Sequence, residues 1–258
     1  TAFGLNMQAR ADRENAMDRS PSVIRVIWAT PFFTDWRRLP LLFVLLAAPV
    51  LPAAAQAQPL RLNRCWPAFD YDGKPAQADG SCLKTVLKGS ERDTAEYTAE
   101  SRTMTCADNK MQVRLDGKHY KNFPAEEYAV VLTNLSKTEP TGIIGDFRSL
   151  KLSVDKPDSA SAATLNVLRG STCKATDFVP ETFPIEAGKE QVLRTTCGRS
   201  SNDYVPFLEL DIDDQNGYLF AIGWTGTWRA RFANTGKAVD VEIGVEKTHF
   251  RLMPGETI

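Results

Sequence analysis

The side chains best grouped to hold a cation or move a proton are Asp211, Asp213 and Asp214. A calcium loop needs glycine at its sharp turn and a bidentate glutamate at its end. Here the glycine position falls on Asn216 and no glutamate follows in register, so the cluster reads as the solvated end of a hairpin at Asn216-Gly217. Glycoside hydrolysis needs two carboxyl groups flanking the scissile bond, one donating a proton and one attacking or activating water. Pattern alone nominates no such pair among the many carboxylates. Nucleophilic chemistry fares no better. Ser200 and Ser201 lack a Gly-x-Ser-x-Gly elbow. The 2 histidines are His119, after the Asp116-Gly117 pair, and His249, in the alternating run Thr248–Leu252; they read as an exposed residue and a strand-face residue. Without a Cys-x-x-Cys pair, so few histidines do not make a zinc site, and no phosphate-cradling loop is present. No catalytic residue, metal or cofactor is assigned.

Residues suited to binding are clearer. Trp224 and Trp228 could stack on the apolar faces of sugar rings, or could fill the core between two sheets, which their alternation with small residues favours. Arg199 stands beside Ser200, Ser201, Asn202 and Asp203 in a dense hydrogen-bonding loop. Its guanidinium either anchors that loop or faces a ligand or a neighbouring domain.

The elements that position these groups are strands. Val239, Val241, Ile243 and Val245 alternate with polar residues or glycine, and Tyr218, Phe220, Ile222 and Trp224 mark one face of another strand. Trp228, Ala230 and Phe232 form a third series. Asp72-Gly73, Asp79-Gly80, Asp116-Gly117, Asn216-Gly217 and Thr235-Gly236 read as turns, the Asp116 pair as a hairpin after Met111–Leu115. The best helical stretch, Pro184 to Leu193, is short and contains Gly188. Many short strands with frequent turn signals predict an all-β fold of two large sheets packed face to face over residues 58–258.

Residues 1–57 read as a helical leader. Trp36-Arg37-Arg38 precedes an apolar run over 39–50, and Ala55-Gln56-Ala57 offers an Ala-x-Ala cleavage site. A membrane anchor is the alternative, but the run is short and Pro49 and Pro52 interrupt it. The chain is therefore expected to be exported, to the periplasm or the extracellular space, with no stable membrane span. Export permits disulfides among Cys65, Cys82, Cys106, Cys173 and Cys197. Cys173–Cys197, flanking the loop into Gly198-Arg199-Ser200-Ser201, is the preferred bridge and Cys65–Cys82 the second, leaving Cys106 over. With 31 basic and 32 acidic residues and no Lys/Arg block, a nucleic-acid partner is not expected.

Several motifs carry a resemblance. Arg169-Gly170-Ser171 precedes Asp177-Phe178, and Gly198-Arg199-Ser200-Ser201 leads to Pro206-Phe207-Leu208-Glu209-Leu210. Trp224-Thr225-Gly226-Thr227-Trp228 and Pro254-Gly255-Glu256 follow. Their order and spacing resembles the N-terminal β-domain of glycoside hydrolase family thirty-six, the α-galactosidases. In place of the usual polar residues before Pro206 stand Asp203-Tyr204-Val205. The resemblance implies a β-supersandwich followed by a (β/α)₈ barrel, with retention of configuration by two aspartates on barrel strands. It also implies a domain that buttresses the barrel, helps wall the sugar site and helps build oligomers. On this reading the chain is an accessory domain cut before its barrel, inert alone, with Arg199, Ser200, Ser201, Asn202, Trp224 and Trp228 facing substrate or barrel. Its partners are then α-galactosides, through the full-length enzyme, its own barrel and further copies. The alternatives are a stand-alone carbohydrate-binding sandwich and a lyase-like or epimerase-like enzyme on a related fold.

Overall fold

A computed structural model of the chain describes residues 26–29, 66–76, 83–156, 162–213 and 216–258. Alternating apolar residues give strands throughout, and these assemble into two sheets. The nine-stranded sheet runs in the order β10 (Pro180–Ile185), β9 (Ala163–Arg169), β12 (Tyr204–Asp211), β13 (Gly217–Ile222), β1 (Val26–Ala29), β7 (Ala125–Asn134), β6 (Met111–Tyr120), β5 (Tyr97–Cys106) and β4 (Leu83–Asp93). The seven-stranded sheet runs β11 (Glu190–Arg194), β14 (Trp228–Asn234), β15 (Ala238–Val245), β8 (Ile144–Asp155), β2 (Trp66–Tyr71) and β3 (Lys74–Ala76), with β16 (His249–Phe250) also on β8. The strand pairings are antiparallel.

Each sheet turns one face inward. Tyr218, Phe220 and Ile222 of β13 meet Trp228, Ala230 and Phe232 of β14, and Val239, Val241 and Ile243 of β15, in one buried cluster. The Phe220 and Phe232 rings meet edge to face at 5.6 Å between centroids. This two-period alternation is what a half-buried sheet requires, and burying each large apolar side chain contributes about 1.5–3 kcal/mol.

Turn chemistry sets several corners. Asp72 and Gly73, with φ of 49° and 72°, close the β2–β3 hairpin, the left-handed pair that a two-residue hairpin turn demands. Gly236, at φ 91°, lies in the turn between β14 and β15. At the last turn, Met253 N–H donates to Glu256 Oε2 at 2.7 Å, and the buried Asn134 side-chain amide donates to the Leu252 and Met253 carbonyls at 3.0 Å each. The final residues then pair along β7, with Ile258 and Leu132 exchanging backbone hydrogen bonds.

Two expectations change, at Asp116-Gly117 and in the leader. Asp116-Gly117 is no turn: β6 runs through it, Asp116 beside Ser101 and Ala129, because neighbouring strands on both sides hold the backbone extended. The Asp116 carboxylate accepts from Ser101 Oγ at 2.9 Å and from Arg114. Pro184 to Leu193, too short and glycine-containing for a helix, is the end of β10, a turn with Gly188 at φ 77°, and β11, and it carries the chain from one sheet to the other. The expected hairpin end at Asn216-Gly217 joins β12 to β13, Asn216 lying in the turn and Gly217 opening β13 opposite Asp211. Within the expected leader, Val26–Ala29 is a strand of the nine-stranded sheet, paired on both sides. The apolar run 39–50, the cleavage site and Asp79-Gly80 lie outside the described residues. Among the described residues no helix is long and apolar enough to cross a membrane.

Candidate functional site

The six residues singled out for binding lie together where the chain crosses between sheets. β11 ends at Arg194 in one sheet and β12 begins at Tyr204 in the other. The intervening loop turns at Cys197 and Gly198, both left-handed at φ 57° and 71°. Asp203 locks its base: Oδ2 accepts from Thr196 N–H at 2.6 Å, Thr196 Oγ1 at 2.8 Å and Asn202 Nδ2 at 3.2 Å. Asn202, buried, accepts from the Arg199 guanidinium and donates to Thr196 Oγ1. Arg199 thus takes the anchoring role, through an amide rather than an ion pair.

The tryptophans divide. Trp228 is 0% exposed; its indole N–H donates to the Ser200 carbonyl at 2.7 Å, and its backbone N–H to Thr195 Oγ1 at 3.0 Å. A ring with neither face open cannot stack on a sugar, so Trp228 is a core residue that ties the loop to β14. Trp224 is half-buried against the same core, and Ser200 N–H donates to the Thr225 carbonyl at 3.1 Å beside it. Its indole nitrogen is enclosed without a hydrogen-bond partner, over the space that a side chain at Gly226 would fill. Ser201 and Arg199 are exposed at the rim. The arrangement is a rigid, hydrogen-bonded corner with a polar edge. Asp203 belongs to the loop expected to be dense in hydrogen bonds; Thr196, its partner, escaped the sequence reading, its only signal being a hydroxyl just before a glycine turn.

The expected Cys173–Cys197 bridge is not formed: both are exposed free thiols. Each sits in its own turn at positive φ, one held by Asp177 and the other by Thr196 and Asp203, so neither loop needs the other. Cys106 is buried in the core, and Cys65 and Cys82 lie outside the described residues. Alkylating the native protein without reductant should label Cys173 and Cys197 and spare Cys106; a disulfide-linked peptide joining the first two would contradict this.

Asp177 accepts backbone N–H groups from Thr172, Cys173 and Lys174 at 3.0, 2.8 and 3.2 Å. Those bonds, that from Thr172 foremost, hold its carboxyl below the usual range. A depressed folded value means its contribution is present above the ordinary aspartate pKa of about 3.9 and is lost as pH falls below it. The gap in melting temperature between wild type and Asp177→Ala should therefore be open at pH 7 and close in acid.

Other carboxylates of the described residues have structural partners. Asp213 accepts from Asn216 N–H at 2.7 Å, as a hairpin end would. Glu209 and Asp211 lie two residues apart on the outer face of β12, where desolvation raises both and, for Glu209, the Asp211 charge adds to it. Asp211 takes a hydrogen bond from Asn166 at 2.7 Å. A cleft of about 130 Å³ on the outer face of the seven-stranded sheet holds Asp70, Asp146, Arg148, Lys151 and Glu242. Ligand pockets begin at roughly 300 Å³. Its charges are also paired internally, Arg148 with Asp146 and Lys151 with Glu242. His119 contacts Glu126 at 3.2 Å and His249 is exposed. Among the described residues no group of three or more His, Cys, Asp or Glu could hold a metal ion.

Two large antiparallel sheets joined by such corners define a β-supersandwich. No protein-family model matches the chain, and no curated protein matches it. Solved structures do. The α-galactosidase AgaA of Geobacillus stearothermophilus, a glycoside hydrolase family 36 enzyme, is similar with a TM-score of 0.54 at 15% identity, over 80% of this chain and 29% of that one. The same enzyme in complex with stachyose matches with a TM-score of 0.53 at 16% identity, over 77% and 29%. In complex with raffinose it matches at 0.55 and 15%, over 80% and 29%. The chain shares the fold of part of these family 36 enzymes and spans under a third of their length.

Proposed function

We propose that this chain is the N-terminal accessory β-domain of an exported, retaining glycoside hydrolase that acts on α-galactosides, and that proton transfer belongs to a catalytic barrel elsewhere in that enzyme. One observation carries the reading: the fold matches part of family 36 α-galactosidases over 80% of this chain. The order of the Gly198-Arg199-Ser200-Ser201, Pro206-Phe207 and Pro254-Gly255-Glu256 motifs supports it.

The site geometry agrees with a supporting role. The corner around Arg199 is rigid and its inner tryptophan is spent on packing, which suits a wall better than a reaction centre. Leu168, Phe207 and Leu219 are exposed on the outer face of adjacent strands β9, β12 and β13. That apolar surface, on a chain covering 29% of the matched enzymes, suits docking of the barrel.

The test joins the gene to the assay. The reading frame past codon 258 should encode a barrel, and its full-length product should hydrolyse aryl α-galactosides with retention. The 258-residue chain alone should show no turnover. Saturable hydrolysis by the chain alone would sink the reading; tight galactoside binding by a chain whose gene encodes no barrel would establish the stand-alone sandwich instead.

A further inference from the structure

The nine-stranded sheet is two half-sheets joined by four residues. β13 closes one half (β10-β9-β12-β13) and β7 opens the other (β7-β6-β5-β4); among the described residues only β1 lies between them. Ile27 sits opposite Ala221 on one side and Glu127 on the other, and Ala29 opposite Leu219 and Ala125. Farther along, β7 needs no β1: the chain's last residues pair with it at Leu132 and Asn134. The gap is therefore a bounded slot, walled by Ala125–Tyr128 and Leu219–Ile222. Its walls present buried Tyr128, Phe220 and Ile222 to the core.

An empty slot would leave two facing rows of unpaired N–H and C=O groups inside a sheet, a strong template for an added strand. Both strands that β1 pairs with, β7 and β13, lie far along the chain from it, so β1 fills the slot by long-range pairing with each wall. The Val-Ile-Trp-Ala sequence has the β-branched and aromatic character that strands favour. We propose that the gap between β7 and β13 is a strand-acceptor site whose ligand is an extended peptide, and that residues 26–29 of this chain are its separable occupant. Loss of residues 1–57 then leaves the site open to an extended peptide. This inference does not depend on the glycosidase reading, since it uses backbone pairing alone.

Full-length chains test it. Ile27→Pro removes a backbone donor from the middle of β1 and bars its regular pairing. Its melting temperature should fall by about 5 °C or more, from the loss of a few hydrogen bonds. A labelled peptide of residues 24–30 should then bind the Ile27→Pro chain saturably, at least tenfold more tightly than wild type, and recover part of the lost stability. Wild type should resist the peptide because its tethered strand competes at an effective concentration of about millimolar. Equal binding to both chains, or no saturable binding to Ile27→Pro, overturns the proposal. Should that variant not fold, hydrogen exchange of wild type decides: the slot-facing amides of Ala125–Tyr128 and Leu219–Ile222 should exchange through local opening faster than those between β5 and β6 and be slowed by added peptide, and protection equal to that of β5 and β6 overturns it.

Discussion

Replacing Trp228 by alanine is expected to lower the melting temperature by about 10 °C. The ring is completely buried among Phe220, Phe232 and their neighbours, and truncating such a side chain costs about 3–5 kcal/mol in lost transfer energy and a residual cavity. For a domain of this size each kcal/mol moves the midpoint by about 2–4 °C. The change also strands the Ser200 carbonyl, which accepts the indole N–H. Trp228→Phe separates the two effects: it keeps most of the packing and loses the hydrogen bond, for about 1–3 kcal/mol. Thermal denaturation followed by circular dichroism reads both. A fall below about 2 °C for the alanine variant would show that the ring is not in the core.

Gly170→Ala should be nearly as damaging, for a steric reason. A Cβ there would lie 2.3 Å from the Ser201 carbonyl oxygen and 2.5 Å from that of Asn202, both backbone atoms. Gly170 and Ser171 donate to the Asp203 and Ser201 carbonyls, so relief requires the two segments to part. Overpacking of this kind costs about 1–3 kcal/mol, and the loss should concentrate in the Thr196–Asp203 loop. Limited trypsin digestion should cut faster after Arg199 in the variant. Gly198→Ala is the contrast: its φ is 71° but nothing lies within 4 Å of the added Cβ, so only the left-handed backbone penalty of about 1–2 kcal/mol applies. Equal digestion of Gly170→Ala and wild type would show that this close approach does not hold the loop.

The contrast between these glycines shows where sequence reading stops. A glycine in a turn, such as Gly73 or Gly236, announces itself through its neighbours. Gly170 is required because another segment's backbone passes close by, and that segment is some thirty positions away. The same limit explains Asp116-Gly117. As a dipeptide it signals a hairpin, yet β5 and β7 flank it and their hydrogen bonds outweigh the local preference. It explains the cysteines too: Cys173 and Cys197 flank one motif in sequence, while separate hydrogen-bonded turns hold each.

What the sequence determined by itself was the all-β class, the inward faces of β13, β14 and β15, and the motif order that resembles family 36. These follow from two-residue alternation and local turn chemistry, which neighbouring positions encode. Tertiary structure alone decided how the two tryptophans divide, Trp228 fully buried and Trp224 half-covered, that the partner of Arg199 is Asn202, and that Val26–Ala29 joins two half-sheets. Each of these depends on which strands become neighbours across long stretches of chain. Cross-strand hydrogen bonds and steric contact set that neighbourhood, and no local pattern carries it.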